Sequence, residues 1–244
     1  MPLTRTLRSF RYQQDGIFPP CHRAIVETHA SLTSIAMKKQ FLLLMLMVTT
    51  LPLISFGPAS TDSKGLEPGD TAPDFSLRNV DGRMVSLASL ATDQPGINGF
   101  IVVFTCNTCP YSVMYEDRII DLHQTYASKG WPVVAIQPND PGLKPGDSAE
   151  EMKIRAREKG FPFVYLLDED QRVFPAYGAT RTPTFYLLDA DRTVRYIGAL
   201  DNNPQEAEAV TQRYVESAIQ AVVAGHVPDP TTTKAIGCGI KMKS

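Results

Sequence analysis

The segment Gly99-Phe-Ile-Val-Val-Phe-Thr105 is β-branched and aromatic with no polar alternation, and it runs straight into Cys106-Asn-Thr-Cys109-Pro110. A strand of this composition is buried on both faces, as at the centre of a helix-flanked sheet. From Pro110 to about Lys129 the spacing turns helical. Val113, Met114, Ile119, Ile120 and Leu122 mix with Glu116, Asp117, Arg118, Asp121 and Gln124, and Gly130 closes the segment. The chain must therefore place two cysteines where a buried strand ends and a helix begins.

Cys106 is expected near the helix N-cap, where unpaired backbone N–H groups and the helix dipole stabilise a thiolate, the nucleophile of disulfide exchange. Pro110 fits the first helical turn, where its missing N–H removes nothing. Cys109 is expected one turn inward, as the more buried resolving thiol. Half of a zinc site, completed from Cys238, His123 or His226, and a structural disulfide are the competing readings. Zinc takes four ligands. A C-x-x-C between strand and helix in a β/α pattern favours the exchange-active pair.

Strands and helices alternate over the rest of the chain. Phe75–Leu77 and Met84–Ser86 read as a hairpin turning at Asp81-Gly82. Pro132–Gln137 and Phe163–Leu167 read as strands, and Gln171–Tyr177 as a short helix. Ser148-Ala-Glu-Glu151 carries a capping-box pattern that opens a helix to Lys159. Thr184–Leu188 and Val194–Leu200 read as a second hairpin, and Pro204–Ala224 as a long amphipathic helix. The implied fold class is α/β, a central mixed sheet flanked by helices with an N-terminal β-hairpin extension. Trp131, Phe161, Phe163 and Tyr165 are expected core residues. His123 is expected to pack or face solvent, and Glu116 and Asp117 to lie on a solvated helix face.

Phe41–Val48 is an apolar run preceded by Lys38-Lys39 and followed by Gly57-Pro-Ala-Ser60. Residues 37–60 thus read as a secretory signal peptide, with an uncleaved N-terminal anchor as the alternative. Residues 1–36 read as an extension upstream of the working start, because Met37 stands directly before the lysine pair. Without 1–60, eighteen Lys and Arg face twenty-four Asp and Glu, so the remainder carries −6 where the full chain carries −2. That acidity argues against a nucleic-acid partner. The expected location is exported, periplasmic or secreted, with no stable membrane insertion unless the leader is retained.

Several further motifs accompany the cysteine pair: Gly69-Asp-Thr-Ala-Pro-Asp-Phe75, Phe104-Thr-Cys-Asn-Thr-Cys-Pro-Tyr111, Asn139-Asp-Pro141, Tyr177-Gly-Ala-Thr-Arg-Thr-Pro183 and Gly237-Cys-Gly-Ile-Lys241. With them the chain resembles the exported thioredoxin-like proteins of the AhpC/TSA–redoxin superfamily, in particular its peroxiredoxin-like branch, over about Leu66–Lys243. The resemblance implies a thioredoxin fold over 61–226, followed by a tail at 227–244. It also implies Cys106 as the attacking thiol, Cys109 as its partner and Pro183 as a substrate-positioning cis-proline. The chain departs from thioredoxins proper in Thr105, Asn107-Thr108 and Phe100, so the proton acceptor for Cys109 is unassigned. Peroxiredoxins carry Pro-x-x-x-Thr/Ser-x-x-Cys. Counting back from Cys109 gives Cys106 and Val102, and from Cys106 gives Val103 and Gly99, so neither frame fits.

The expected function is thiol–disulfide exchange through Cys106 and Cys109. The expected partners are protein or small-molecule thiols and disulfides, with a redox protein as electron donor or acceptor. An atypical thiol peroxidase and a copper chaperone similar to the Sco proteins are the alternatives. No phosphate loop, His-Glu-x-x-His or Ser-His-Asp pattern occurs, and no cofactor and no metal are expected. Cys238, in a mobile, accessible Gly-flanked tail beside Lys234, Lys241 and Lys243, reads as a resolving cysteine for Cys106, as the site of an intermolecular disulfide or as an idle thiol. Arg181 reads either as a neighbour of the sulfurs or as a surface residue.

Overall fold

The computed structural model describes residues 64–243. The signal-peptide and upstream-extension readings lie outside these residues. In chain order the elements are β1 (Leu77–Asn79), β2 (Met84–Val85), α1 (Leu87–Asp93), β3 (Gly99–Phe104), α2 (Pro110–Tyr126), β4 (Val133–Gln137), α3 (Ala149–Lys159), β5 (Val164–Leu167), α4 (Val173–Tyr177), β6 (Arg181–Thr182), β7 (Thr184–Asp189), β8 (Val194–Gly198), α5 (Tyr214–Val223) and β9 (Cys238–Gly239). Seven strands form one sheet in the order β2-β1-β5-β4-β3-β7-β8, and β6 pairs with β9 separately. β3 runs parallel to β4 and antiparallel to β7, and β4 runs parallel to β5. This is the thioredoxin fold, extended at one sheet edge by a hairpin that turns where expected but whose first strand is Leu77–Asn79 and not Phe75–Leu77.

β3 is buried along its whole length because it sits at the centre with a core on each side. Side chains alternate faces along a strand. Phe100, Val102 and Phe104 therefore enter a cluster with Leu87 and Leu90 of α1 and Phe174 and Tyr177 of α4. Ile101 and Val103 enter the opposite cluster with Tyr115, Ile119 and Leu122 of α2, Met152 of α3 and Ile219 of α5. Trp131 is core, 2% exposed, and packs directly over Gly99.

Three elements differ from the sequence reading. α1 follows directly on β2, because Ser86 leaves the strand to cap it. The Ser86 hydroxyl accepts from the Ser89 amide, and the Asp74 carboxylate accepts from the amides of Leu87 and Ala88. The helix expected over 204–224 is confined to Tyr214–Val223. Its first half is held as a loop: Arg118 donates to the carbonyls of Asn203 and Pro204, and the Asn202 side-chain oxygen accepts from the amides of Thr211 and Gln212. Glu116, expected on a solvated face, is buried. The α3 residue Arg155 meets it with two hydrogen bonds, of 2.8 and 2.7 Å, where the two helices cross. Its neighbour Asp117 is exposed as expected, paired with Lys159.

Candidate redox site

α2 starts at Pro110, which makes Cys109, and not Cys106, the N-cap residue. The strand ends at Phe104, and the Thr105 amide still bonds Ile136 O at 2.9 Å. Cys106-Asn-Thr108 then forms the turn that joins strand to helix. Both cysteines are buried, at 3% and 2% exposure, so the expected contrast between an open and a covered thiol is absent.

A buried polar cradle fixes the turn. The Asp147 carboxylate accepts from the Thr108 amide at 3.0 Å, the Thr108 hydroxyl at 2.8 Å and the Asn139 side-chain amide at 2.8 Å. Asn107 donates to Gly146 O at 2.9 Å and accepts from the Tyr165 hydroxyl at 3.0 Å. Asp147 is fully buried. It belongs to a Pro/Gly/Asp-rich loop whose composition signals only a turn, so nothing in the sequence marks it as part of the site.

The Thr182-Pro183 peptide bond is cis, and Pro183 is buried. Thr182 contacts both sulfurs. Its hydroxyl lies 3.2 Å from Cys106 Sγ and its carbonyl oxygen 3.2 Å from Cys109 Sγ. The Ser112 hydroxyl lies 4.0 Å from Cys106 Sγ. Cys109 Sγ is also 2.6 Å from Cys238 Sγ. The structure thus gathers Cys106, Cys109, Pro183 and Cys238 at one place, and adds Thr182, Ser112 and Asp147.

The charge pattern follows from these contacts. Cys109 is lowered from its ordinary 9.0 to about 4, because the Cys106 and Cys238 thiols and the Ser112 amide favour its thiolate. Cys106 is pushed up by its hydrogen bond to Cys109, by burial and by the Asp147 charge. Two thiols in contact titrate as a unit. The pair therefore gives up its first proton below the ordinary thiol range, and the contacts favour Cys109 as the site of the charge. Burial and the neighbouring Cys109 raise Cys238 to about 11, so it is a thiol and not the accessible thiolate that its lysines suggested.

His123 packs on Phe163 and accepts from the Val133 amide at 3.2 Å. Arg181 is exposed and donates at 3.0 Å to the carbonyl of Gly237, the residue before Cys238. Among the described residues no helix is long and apolar enough to cross a membrane.

Comparison with known proteins agrees with this architecture. Residues 68–197 match the AhpC/TSA family. The chain is 28% identical over 169 residues to the thiol-disulfide oxidoreductase ResA of Geobacillus thermodenitrificans, covering 66% of this chain and 89% of that protein. It is 26% identical over 156 residues to the chloroplastic peroxiredoxin Q of Oryza sativa subsp. japonica, covering 61% of this chain and 66% of that protein. An uncharacterised conserved protein of Geobacillus kaustophilus, solved as a crystal structure, superposes with a TM-score of 0.67 at 38% identity over 74% of this chain and 95% of its own. The family match spans more than half of the sequence and takes in both cysteines and the Thr182-Pro183 loop, so the chain belongs to the AhpC/TSA family.

Proposed function

We propose that this protein is a thiol–disulfide oxidoreductase that works through Cys106 and Cys109. The observation that carries this reading is the placement of both sulfurs at the start of α2 against one residue, Thr182, which lies 3.2 Å from each. The relative named a thiol-disulfide oxidoreductase supports it. Its substrates are protein or small-molecule thiols and disulfides, and a redox protein supplies or removes electrons. The leader at 37–60 carries the domain at 61–226 out of the cytoplasm.

The reduced pair holds one proton between two sulfurs. Passing that proton from Cys106 to Cys109 creates the attacking thiolate on Cys106. It displaces one sulfur of a substrate disulfide as a thiolate and forms a mixed disulfide. Cys109 then loses its proton and attacks Cys106 Sγ, which closes the Cys106–Cys109 disulfide and releases the second substrate sulfur. One substrate disulfide becomes a thiol, which takes up the proton lost by Cys109, and a thiolate, which takes a proton from water, as the protein pair becomes a disulfide. Pro183 and the Thr182 backbone position the partner chain at the sulfurs.

The test is turnover of a peptide disulfide with dithiothreitol as electron source. Cys106→Ser and Cys109→Ser should each lower it by on the order of a hundredfold, since the two act as a unit. Unchanged turnover in both variants would remove the reading. Relatives named peroxiredoxin make a thiol peroxidase the second reading. Multiple-turnover peroxide consumption that depends on Cys106, with no peptide-disulfide turnover, would favour it.

A further inference from the structure

The C-terminal tail does not hang free. β9 pairs antiparallel with β6, with Arg181 opposite Gly239 and Thr182 opposite Cys238. The Ile240 amide extends the ladder to Thr180 O at 3.1 Å. Gly237 lies so close to the cis-proline loop that a Cβ there would meet Thr182 O at 2.0 Å and Pro183 N at 3.1 Å. Past the strand, the Lys241 amide donates to the Asn139 side chain at 2.8 Å, and its carbonyl accepts from the Asp140 amide and the Gln171 side chain, each at 2.8 Å. Before it, Thr231 and Thr233 bond the backbone of Ile197 in β8. The segment is fastened on both sides of Cys238.

Two consequences follow. An extended strand on an exposed edge, with one side chain reaching into the site, is how a peptide substrate would bind there. Here the chain's own tail fills that position. Cys106 and Cys109 are also buried, whereas Cys238, in contact with Cys109, is half-buried and is the most exposed of the three.

We propose that residues 237–239 are an internal occupant of the peptide-binding edge, and that Cys238 is a third redox residue that exchanges with Cys109. This rests on the exchange reading of the Cys106–Cys109 pair. Once Cys106–Cys109 is oxidised, the Cys238 sulfur loses its proton and attacks Cys109 Sγ. The Cys106–Cys109 bond breaks, the Cys109–Cys238 bond forms, and Cys106 leaves as a thiolate that takes up the proton. No electrons are gained or lost. The disulfide now ends at the sulfur nearest solvent. One thiol of an external dithiol then attacks Cys238 and releases Cys109 as a thiolate; its second thiol attacks the mixed disulfide, closes the external disulfide and releases Cys238, and Cys109 and Cys238 take up the two protons the dithiol gave up, which restores the three-thiol state. Because Cys238 touches Cys109, the tail exchanges with the resolving sulfur.

The test maps disulfides after limited oxidation of the reduced protein with diamide, trapping free thiols with N-ethylmaleimide and locating linkages by mass spectrometry. The wild type should yield a Cys109–Cys238 linkage beside Cys106–Cys109, and Cys106→Ser should form Cys109–Cys238 alone. If Cys106–Cys109 forms and Cys109–Cys238 appears in neither protein, the proposal is overturned while the exchange reading stands. If Cys109–Cys238 forms but peptide-disulfide turnover survives both Cys106→Ser and Cys109→Ser, the exchange reading fails instead. Gly237→Val keeps all three cysteines but collides with the Thr182 carbonyl. It should abolish the Cys109–Cys238 linkage and speed alkylation of Cys106 and Cys109 by on the order of tenfold, because a tethered strand otherwise competes at high effective concentration. Gly239 has open space beside it, so Gly239→Ala should behave as wild type. Wild-type behaviour of Gly237→Val would contradict the proposal, and should that variant not fold, truncation after Ile236, which removes Cys238, repeats the alkylation arm alone: unchanged alkylation of Cys106 and Cys109 there would contradict the tail's occupancy of the edge.

Discussion

Asp147 is the residue whose removal should reveal most about how the cysteine turn is held. Its carboxylate takes three donors, the Thr108 amide, the Thr108 hydroxyl and the Asn139 side chain, with no exposure to water. In Asp147→Ala the Thr108 hydroxyl can turn to solvent, because Thr108 itself is exposed. The Thr108 amide and the Asn139 Nδ2 group are left without an acceptor. Each stranded buried donor costs about 1–3 kcal/mol, so the substitution should cost about 2–6 kcal/mol. Asp147→Asn keeps one acceptor oxygen and opposes one donor to another at Asn139, which places its cost at about 1–3 kcal/mol. Guanidinium unfolding of the reduced protein measures both differences. Asp117→Asn serves as control, since its pair with Lys159 is exposed and should be worth less than about 1 kcal/mol. The charge has a second effect. Asp147 is one of the groups that push the Cys106 thiol up, so both Asp147 variants should raise Cys106 alkylation at neutral pH. The reasoning is refuted if both variants unfold within about 0.5 kcal/mol of wild type.

Gly99→Ala should destabilise by about 1–3 kcal/mol through overpacking. Its Cβ would lie 2.2 Å from Leu188 O and 2.3 Å from the Trp131 ring, and a thermal melt indistinguishable from wild type would contradict this. Arg155→Met should cost at most about 3–5 kcal/mol, because it strips the buried Glu116 carboxylate of both its guanidinium hydrogen bonds. Lys159, at 3.7 Å, moderates that loss, and Lys159→Met in the same background should restore the full cost. The reduced protein should show a thiolate absorbance step near pH 4 that Cys109→Ser removes. Because this folded-state value lies below the ordinary 9.0, the stability it contributes is complete above that ordinary value. It is lost as pH falls from there through about 4, so acid should weaken the reduced protein over that window.

Features written in local pattern are legible in the amino-acid sequence itself. The unbroken apolar run of β3, the helical spacing after Pro110 and the Asp81-Gly82 turn report on residues a few positions apart, and each folds as read. The cysteine spacing locates the pair, and Thr182-Pro183 locates its neighbour. The features that sequence leaves unmarked come from long-range contact. Asp147 meets the cysteine turn across 39 positions, and Glu116 meets Arg155 across the same separation. A carboxylate in a polar loop and one on a helix look alike in sequence whether they are solvated or buried. The tail is the clearest case. Its small, polar and basic residues suggest mobility, yet its backbone bonds fasten it to β6, β8 and the loop after β4, and composition does not encode backbone pairing. The shortened α5 has a similar cause, because Arg118 of α2 takes the Asn203 and Pro204 carbonyls that a longer helix would need.

The central claim is that Cys106 and Cys109 form one exchangeable dithiol. A redox titration in a Cys238→Ser background tests it most directly, with both sulfurs quenched and counted at each potential. The account predicts a single two-electron transition in which the two thiols disappear together, and its loss in Cys106→Ser and in Cys109→Ser. A midpoint near about −270 mV would mark a reductant and one near about −120 mV an oxidant. Two thiols that remain separately alkylatable across the whole range would contradict the account.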